Sequence, residues 1–279
     1  MELTAETVDR VLAAALAEDV GTGDLTTDGV VPADARCRAE LLVEEPGVVC
    51  GIPLALEVFV KLDPAVTGAA LVQEGALLEA PGAVARLEGL ARAVLTGERT
   101  ALNLLGRLSG IATLTRRYVD AVEGTGATIL DTRKTTPGLR ELEKYAVRCG
   151  GGRNHRVGLY DMILLKENHL RVAGGIRKAV AALGPRNGTP LEVEAETLDE
   201  VRDALDAGVD RILLDNMRLD DLRRAVDVAG GRVPLEASGG ISLDTVRAVA
   251  ETGVDFISVG ALTHSARSLH VSLEILSRV

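Results

Sequence analysis

The sequence predicts an α/β protein in which an α+β domain, residues 1–108, precedes an α/β barrel, residues 109–265. The first sign is a change of pattern after Gly126. Short β-branched or Leu-rich runs recur there with helical stretches between most of them: ATILDT (127–132), MILLK (162–166), LEVEAE (191–196), RILLDN (211–216), PLEASGG (234–240) and FISVGA (256–261). Alternation of this kind builds a parallel sheet through right-handed crossovers. The second sign is that no run is followed by G-x-G-x-x-G or a Walker lysine loop, so six such units favour a barrel over a doubly wound sheet. The third is length, since 279 residues suit one barrel with an appendage.

The N-terminal part opens on an amphipathic helix. Thr4 caps it, Glu6 lies in its first turn, and Val8, Val11, Leu12, Ala15 and Leu16 recur at helical spacing. DVGTGDLTTDGVVP reads as loop, because Gly, Asp and Thr compete with regular backbone pairing. Period-two segments follow at 37–44 and around 48–50, then a helix from Leu54 to Leu62 that stops before Pro64. GALLEAPGAVARLEG reads as short strands about a Pro81-Gly82 turn. From Leu90 to Val122 the pattern is helical, with an interruption expected near Ser109-Gly110, where the domain boundary is placed.

Composition narrows the function. Phe 2, Tyr 3, Trp 0 and a pI near 5.0 argue against a nucleic-acid surface, which needs stacking rings and a basic face. Three scattered cysteines, Cys37, Cys50 and Cys149, show neither a disulfide framework nor metal-ligand spacing, so a reducing cytoplasm is expected. No signal peptide or membrane span is expected either.

Against this background DTRKTTPGLRELEKYAVRCGGGRNHRVGLYDMILLKENH (131–169) stands out. It holds eight Lys/Arg against five acids, a local +3 within a chain of net charge -10, so the remainder carries -13. Like charges gathered in one segment cost free energy unless a ligand neutralises them, and a pocket for small, multiply charged anions is the reading that follows.

Polar and charged residues also stand at the carboxyl ends of the apolar runs, where a barrel places its chemistry. Arg133 and Lys134 follow the first run and Lys166 closes the second. Glu194 falls in the third, Asp215 ends the fourth, Ser238-Gly239-Gly240 the fifth, and Gly260 lies in the sixth. The glycine loops of the last two units suit a phosphate, with backbone amides and a helix N-terminus as donors. Glu194 and Asp215 are either a general acid/base pair or hard oxygen ligands for Mg²⁺ bound through a ligand's phosphates and hydroxyls, and the nearby cations favour the second.

Thr136-Pro137 reads as the start of a helix running to Gly150, with Arg140, Lys144 and Arg148 in one row facing either ligand or water. His155, beside Arg156, suits donation to a carboxylate. On spacing alone Arg99 is a surface residue paired with Glu98. No Ser-His-Asp order, H-E-x-x-H or Cys/His zinc spacing is present, and a Schiff base on Lys134 or Lys166 is the one covalent route left open.

At GDLTT (23–27), ERTALNLLGRLSGIAT (98–113), DTRKTTPGLRELEKYAV, GGGRNHR, KENH, LLDN, LEASGGI and VGALTHS the chain closely resembles the quinolinate phosphoribosyltransferases. Met217 stands where an aromatic commonly follows LLDN. The resemblance implies an incomplete, seven-stranded α/β barrel with an N-terminal α+β open-sheet sandwich domain, to which residues 266–279 return; six strands are visible from the residues. It also implies transfer of phosphoribosyl from phosphoribosyl pyrophosphate to quinolinate with loss of CO₂, Mg²⁺ as cofactor, and a homodimer or a multiple of dimers. Carried over residue by residue, it puts Arg99, Thr132, Arg133, His155, Arg156 and Lys166 around quinolinate, Arg99 coming from the neighbouring subunit. Lys134 takes the pyrophosphate side, Glu194 and Asp215 the ribose hydroxyls and Mg²⁺, and Ser238, Gly239, Gly240, Gly260 and His264 the 5'-phosphate. Lys134, Lys166, Glu194 and Asp215 are the catalytic candidates.

Overall fold

The computed structural model describes residues 3–278. The chain forms two compact units, Met1–Arg116 with Thr135–Gly151 and Ser265–Val279, and Arg117–Lys134 with Gly152–His264. The first unit thus runs through Arg116 and also takes in the 135–151 segment.

In the first unit α1 (Ala5–Asp19) begins at Thr4, whose hydroxyl accepts the Thr7 amide at 3.2 Å. The expected loop over 20–32 contains α2 (Leu25–Val30), because the Asp24 carboxylate accepts the Thr27 amide at 2.9 Å and starts a helix inside GDLTT. Then come β1 (Arg36–Val43), β2 (Gly47–Val48), α3 (Ile52–Leu62), β3 (Thr67–Ala70), β4 (Leu77–Leu78), β5 (Gly82–Leu90) and α4 (Ala91–Ala121). β5 pairs antiparallel with both β1 and β3. β3 was not legible, since TGAA is exposed throughout and carries no apolar alternation.

The break expected at Ser109-Gly110 is absent, for α4 is continuous. Its small residues serve close packing instead. A Cβ at Gly110 would overlap the Arg267 carbonyl oxygen, one at Gly106 would lie 2.8 Å from the Leu269 carbonyl oxygen, and Ser109 Oγ accepts the Cys50 amide at 2.9 Å. α5 (Arg140–Cys149) starts later than Thr136-Pro137 suggests. Gly138, at φ +81°, interrupts the helical path. Thr136 donates its amide (3.1 Å) and hydroxyl (2.8 Å) to the Glu143 carboxylate rather than capping the helix with its own oxygen.

The second unit carries β6 (Thr128–Leu130), β7 (Ile163–Leu165), α6 (Glu167–Ala173), α7 (Ile176–Leu183), β8 (Leu191–Ala195), α8 (Leu198–Asp206), β9 (Arg211–Asp215), α9 (Leu219–Ala229), β10 (Leu235–Ser238), α10 (Val246–Ala250), β11 (Phe256–Ser258) and α11 (Ala261–His264). Among the described residues six strands form one parallel sheet in the order β6-β11-β10-β9-β8-β7. A single parallel bridge, Leu130 to Arg153, extends the outer edge of β6. Three consecutive glycines precede Arg153, which leaves too little β-forming chain for a longer strand there. The last strand, β12 (Val271–Arg278), pairs antiparallel with β1 and completes the four-stranded sheet of the first unit, β12-β1-β5-β3.

Period two decides what faces the interior of the parallel sheet. Glu192 and Glu194 share one face of β8, Arg211, Leu213 and Asp215 one face of β9, and Glu236 and Ser238 one face of β10. The alternate positions Val193, Ile212, Leu214 and Ala237 are buried apolar residues.

Candidate active site

The carboxyl ends of these strands surround a cavity of about 620 Å³ in the second unit. Thr132, Arg133 and Lys134 enter it after β6, His155 and Arg156 from the following segment, and Lys166 after β7. Glu194, Asp215, Ser238, Gly239 and Gly240 complete its lining. The cavity therefore gathers eleven of the fourteen residues singled out from the sequence. Gly260 and His264 lie next to it: a Cβ on Gly260 would come within 3.1 Å of His264 Nε2 and 3.1 Å of the Lys134 side chain. Arg99 is exposed on α4 in the first unit.

The cationic wall is held by its own local bonds. Asp131, fully buried at the end of β6, accepts the His155 amide (2.8 Å) and the Asn154 side-chain amide (2.6 Å). Arg156 Nη1 donates to the Met162 carbonyl at 3.0 Å, and Asp161 accepts the amides of Val157 (2.7 Å) and Gly158 (2.9 Å), closing the turn after it. Burial, and then the neighbouring Arg133 guanidinium, pull Arg156 below the ordinary arginine range. The second cause is the mark of cations assembled for an anion.

Beneath this wall the sequence reading missed a buried polar core. His155 Nε2 lies 2.9 Å from Glu192 Oε2 and 3.4 Å from Glu236 Oε2, and both glutamates are fully buried. Arg211 reaches Glu236 at 3.1 Å and stacks over the Phe256 ring at 4.4 Å. Burial opposes a charge on His155, but the two carboxylates more than offset it and raise its pKa to about 9. Burial pushes Glu192 up. It acts the same way on Glu236, where His155, Ser258 and Arg211 prevail and hold the group below its usual range. Acids at alternate positions of LEVEAE and in LEASGG were the available signal.

Part of the lining is acidic. Glu194, 8% exposed, accepts the Glu167 amide at 3.1 Å at the start of α6 and lies 3.4 Å from Lys166 Nζ. Carboxylate oxygens of Glu194, Glu196 and Asp215 lie within 4.8 Å of one another. Burial and then Glu194 raise the pKa of Asp215, so the cluster gains from a cation or a proton. Three hard oxygen donors fit Mg²⁺ completed by ligand oxygens. Glu196 was not anticipated.

The fifth strand's loop is shaped by an asparagine. Asn216, at φ +52°, donates from its side chain to Asp215 Oδ2 at 2.6 Å and from its amide to the Ser238 carbonyl at 2.9 Å. Gly239, at φ +97°, fits because any Cβ would overlap the Asn216 side chain. Across the mouth, Thr263 Oγ1 donates to the Lys134 carbonyl at 2.7 Å and fixes that loop. The Arg140, Lys144 and Arg148 row lies on α5 in the first unit, with Lys144 buried, so it does not line this cavity.

Residues 24–109 match the family model for the quinolinate phosphoribosyl transferase N-terminal domain, and residues 111–274 that for the C-terminal domain. The chain belongs to the quinolinate phosphoribosyl transferase family. A probable nicotinate-nucleotide pyrophosphorylase (carboxylating) of Bacillus subtilis (strain 168) is 44% identical over 260 residues, covering 92% of this chain and 90% of that protein. Among solved structures, NadC from Streptococcus pyogenes is 40% identical with a TM-score of 0.94, covering 99% of this chain and 100% of that one. The nicotinate-nucleotide pyrophosphorylase from Francisella tularensis is 41% identical with a TM-score of 0.94, covering 98% of each. As a quinolinate phosphoribosyl transferase the chain has the family's α/β fold, with a parallel sheet and a separate antiparallel N-terminal sheet. No described helix is long and apolar enough to cross a membrane.

Proposed function

We propose that this chain transfers phosphoribosyl from phosphoribosyl pyrophosphate to quinolinate, releasing pyrophosphate, CO₂ and nicotinate mononucleotide, in de novo NAD biosynthesis. The observation that carries the reading is one cavity with a cationic wall (Arg133, His155, Arg156, Lys166) and an acidic one (Glu194, Asp215). The first wall matches two adjacent carboxylates, the second a sugar with a cation-bound diphosphate.

The pyridine nitrogen has no proton to lose, so its attack on the ribose carbon needs no general base. What the protein supplies is alignment and a field that suits an oxocarbenium-like centre. Glu194 and Asp215 hold the ribose hydroxyls beneath that developing positive charge, while Lys134 balances the departing pyrophosphate. Mg²⁺, held by Glu194 and Asp215 and partly through substrate, would offset diphosphate charge when bound. Ser238, Gly239, Gly240, Gly260 and His264 receive the 5'-phosphate.

Bond formation makes the ring a pyridinium. The C2–carboxylate bond then breaks, its electron pair stays on C2 beside the positive nitrogen, and a proton from solvent completes nicotinate mononucleotide. Arg133 and Arg156, with Thr132 shaping the pocket, keep the 3-carboxylate fixed while the 2-carboxylate leaves a desolvated site. Lys166, already 3.4 Å from Glu194, sits where the two substrates meet.

The family pattern further supports a homodimer or a multiple of dimers in which Arg99 completes the neighbouring subunit's pocket, an incomplete seven-stranded barrel, and a cytoplasmic location. The test is product analysis: purified protein given quinolinate, phosphoribosyl pyrophosphate and Mg²⁺ yields nicotinate mononucleotide and pyrophosphate. Tight diphosphate binding without any mononucleotide would make the chain an anion-binding module instead.

A further inference from the structure

We propose that Cys50 and Cys149 are a hydroperoxide-responsive dithiol that closes reversibly to a disulfide within the first unit. The cysteines are far apart in sequence and share no motif, yet their sulfurs and a Glu74 carboxylate oxygen lie within 4.8 Å of one another. Both are free thiols, Cys50 buried and Cys149 half-buried. The proposal stands on this geometry and is independent of the transferase reading.

The two thiols are unequal in the way a reactive and a resolving cysteine must be. Cys50 is held from both sides of its peptide: Ser109 Oγ accepts its amide at 2.9 Å and donates to its carbonyl at 3.2 Å. It is fully buried, and burial pushes its thiol well above the ordinary range. Cys149 ends α5. A hydrogen bond from Cys50 holds its thiol below the usual value against burial and the Glu74 carboxylate, with Tyr145 and Arg148 acting in the same direction as Cys50.

Glu74 argues for sulfur chemistry rather than a cation. Its Oε1 accepts the Ile52 amide at 2.8 Å, and its Oε2 accepts the Gly51 amide and the Tyr145 hydroxyl, each at 2.8 Å. The carboxylate thus caps α3, whose N-cap Gly51 offers no side chain, and a metal ion would have to displace those bonds.

The steps balance with a hydroperoxide as oxidant. The Cys149 thiolate attacks one peroxide oxygen, the O–O bond breaks, and the leaving hydroxide takes a proton to become water, leaving a sulfenic acid. The Cys50 sulfur then attacks the Cys149 sulfur, its proton leaves with the sulfenic hydroxyl as a second water, and the S–S bond forms. Two thiols lose two electrons and two protons, and the peroxide becomes two waters.

The test treats the full-length protein with hydrogen peroxide, caps remaining thiols with a maleimide, and reads intact mass and peptide maps. The three free thiols fall to one, Cys37. The uncapped mass drops by two hydrogens, one cross-linked peptide pair contains Cys50 and Cys149, and dithiothreitol reverses all of it. In Cys50→Ser the oxidation halts at a Cys149 sulfenic acid that dimedone captures; in Cys149→Ser, Cys50 and Cys37 stay reduced. Three thiols still reactive after peroxide, a cross-link through Cys37, or Cys149 over-oxidised beside a reduced Cys50 would each overturn the proposal. So would stoichiometric Zn²⁺ binding that needs both cysteines and blocks oxidation. The wild-type mass measurement decides the matter even if a variant fails to fold.

Discussion

His155 Nε2 lies 2.9 Å from Glu192 Oε2, a histidine of the cavity wall resting on a fully buried carboxylate. Its Nδ1 accepts the Arg156 amide at 2.8 Å while the ring is neutral, a bond that protonation breaks, so this amide opposes the charge that the two carboxylates favour. With Glu236 and Arg211 the group sums to two acids and two bases, a neutral set when His155 carries its proton. The positive wall thus rests on compensated buried charge.

The first prediction concerns pH. A histidine whose folded pKa is about 9, against an ordinary 6.5, contributes stability that is fully present below pH 6.5 and lost as pH rises through 9. Urea unfolding of the wild type and His155→Asn between pH 6 and 9.5 should show the wild-type advantage shrinking across that window. An advantage that grows with pH would contradict the assignment.

Removing one member of the buried set should cost more than removing a surface charge. Glu236→Ala leaves Glu192 as the one carboxylate beside both Arg211 and His155, next to an unfilled space, and a loss on the order of 3–5 kcal/mol is expected from breaking a buried pair. Glu88→Ala, on an exposed pair with Arg38, should change stability by less than about 1 kcal/mol. Denaturant titration of both variants checks the contrast.

Arg133→Ala and Arg156→Ala should each lower kcat/KM for quinolinate by roughly 100-fold or more, since a charge-assisted bond to a carboxylate is lost in a desolvated pocket. Their melting temperatures should stay near wild type, because neither residue belongs to the hydrophobic core. Retained activity in either purified variant would remove the cationic wall from the mechanism.

Gly239→Ala tests the proposed phosphate loop. At φ +97° a side chain is strained whatever the space, and here it would also overlap Asn216. A cost of about 1–3 kcal/mol is expected, with the displaced loop raising KM for phosphoribosyl pyrophosphate more than KM for quinolinate. Steady-state kinetics with each substrate varied separates the two effects.

The strands of the second unit were legible because each is a short apolar run bounded by turn residues, and the strand-end rule then named most of the cavity's charged lining. The buried His155–Glu192–Glu236–Arg211 set was not, since acids inside LEVEAE look like solvent-facing positions of an amphipathic strand. β3 and α2 escaped for local reasons, an exposed TGAA and a cap hidden in a Gly-Asp-Thr stretch. Gly106 and Gly110 misled in the opposite direction: glycine in a helix weakens it alone, but here it admits the carbonyls of Leu269 and Arg267, contacts too distant in sequence to foresee. The pairing of Cys50 with Cys149 is equally a product of tertiary structure.

The central claim is that two carboxylates are gripped on one wall and one of them is expelled after transfer to the ring. Its most direct test supplies the protein with phosphoribosyl pyrophosphate, Mg²⁺ and either quinolinate labelled in the 2-carboxylate or nicotinate, and counts labelled CO₂ against mononucleotide. The account predicts one CO₂ per nicotinate mononucleotide from quinolinate and no comparable transfer to nicotinate. Mononucleotide formed equally well from nicotinate, or from quinolinate without CO₂, would contradict it.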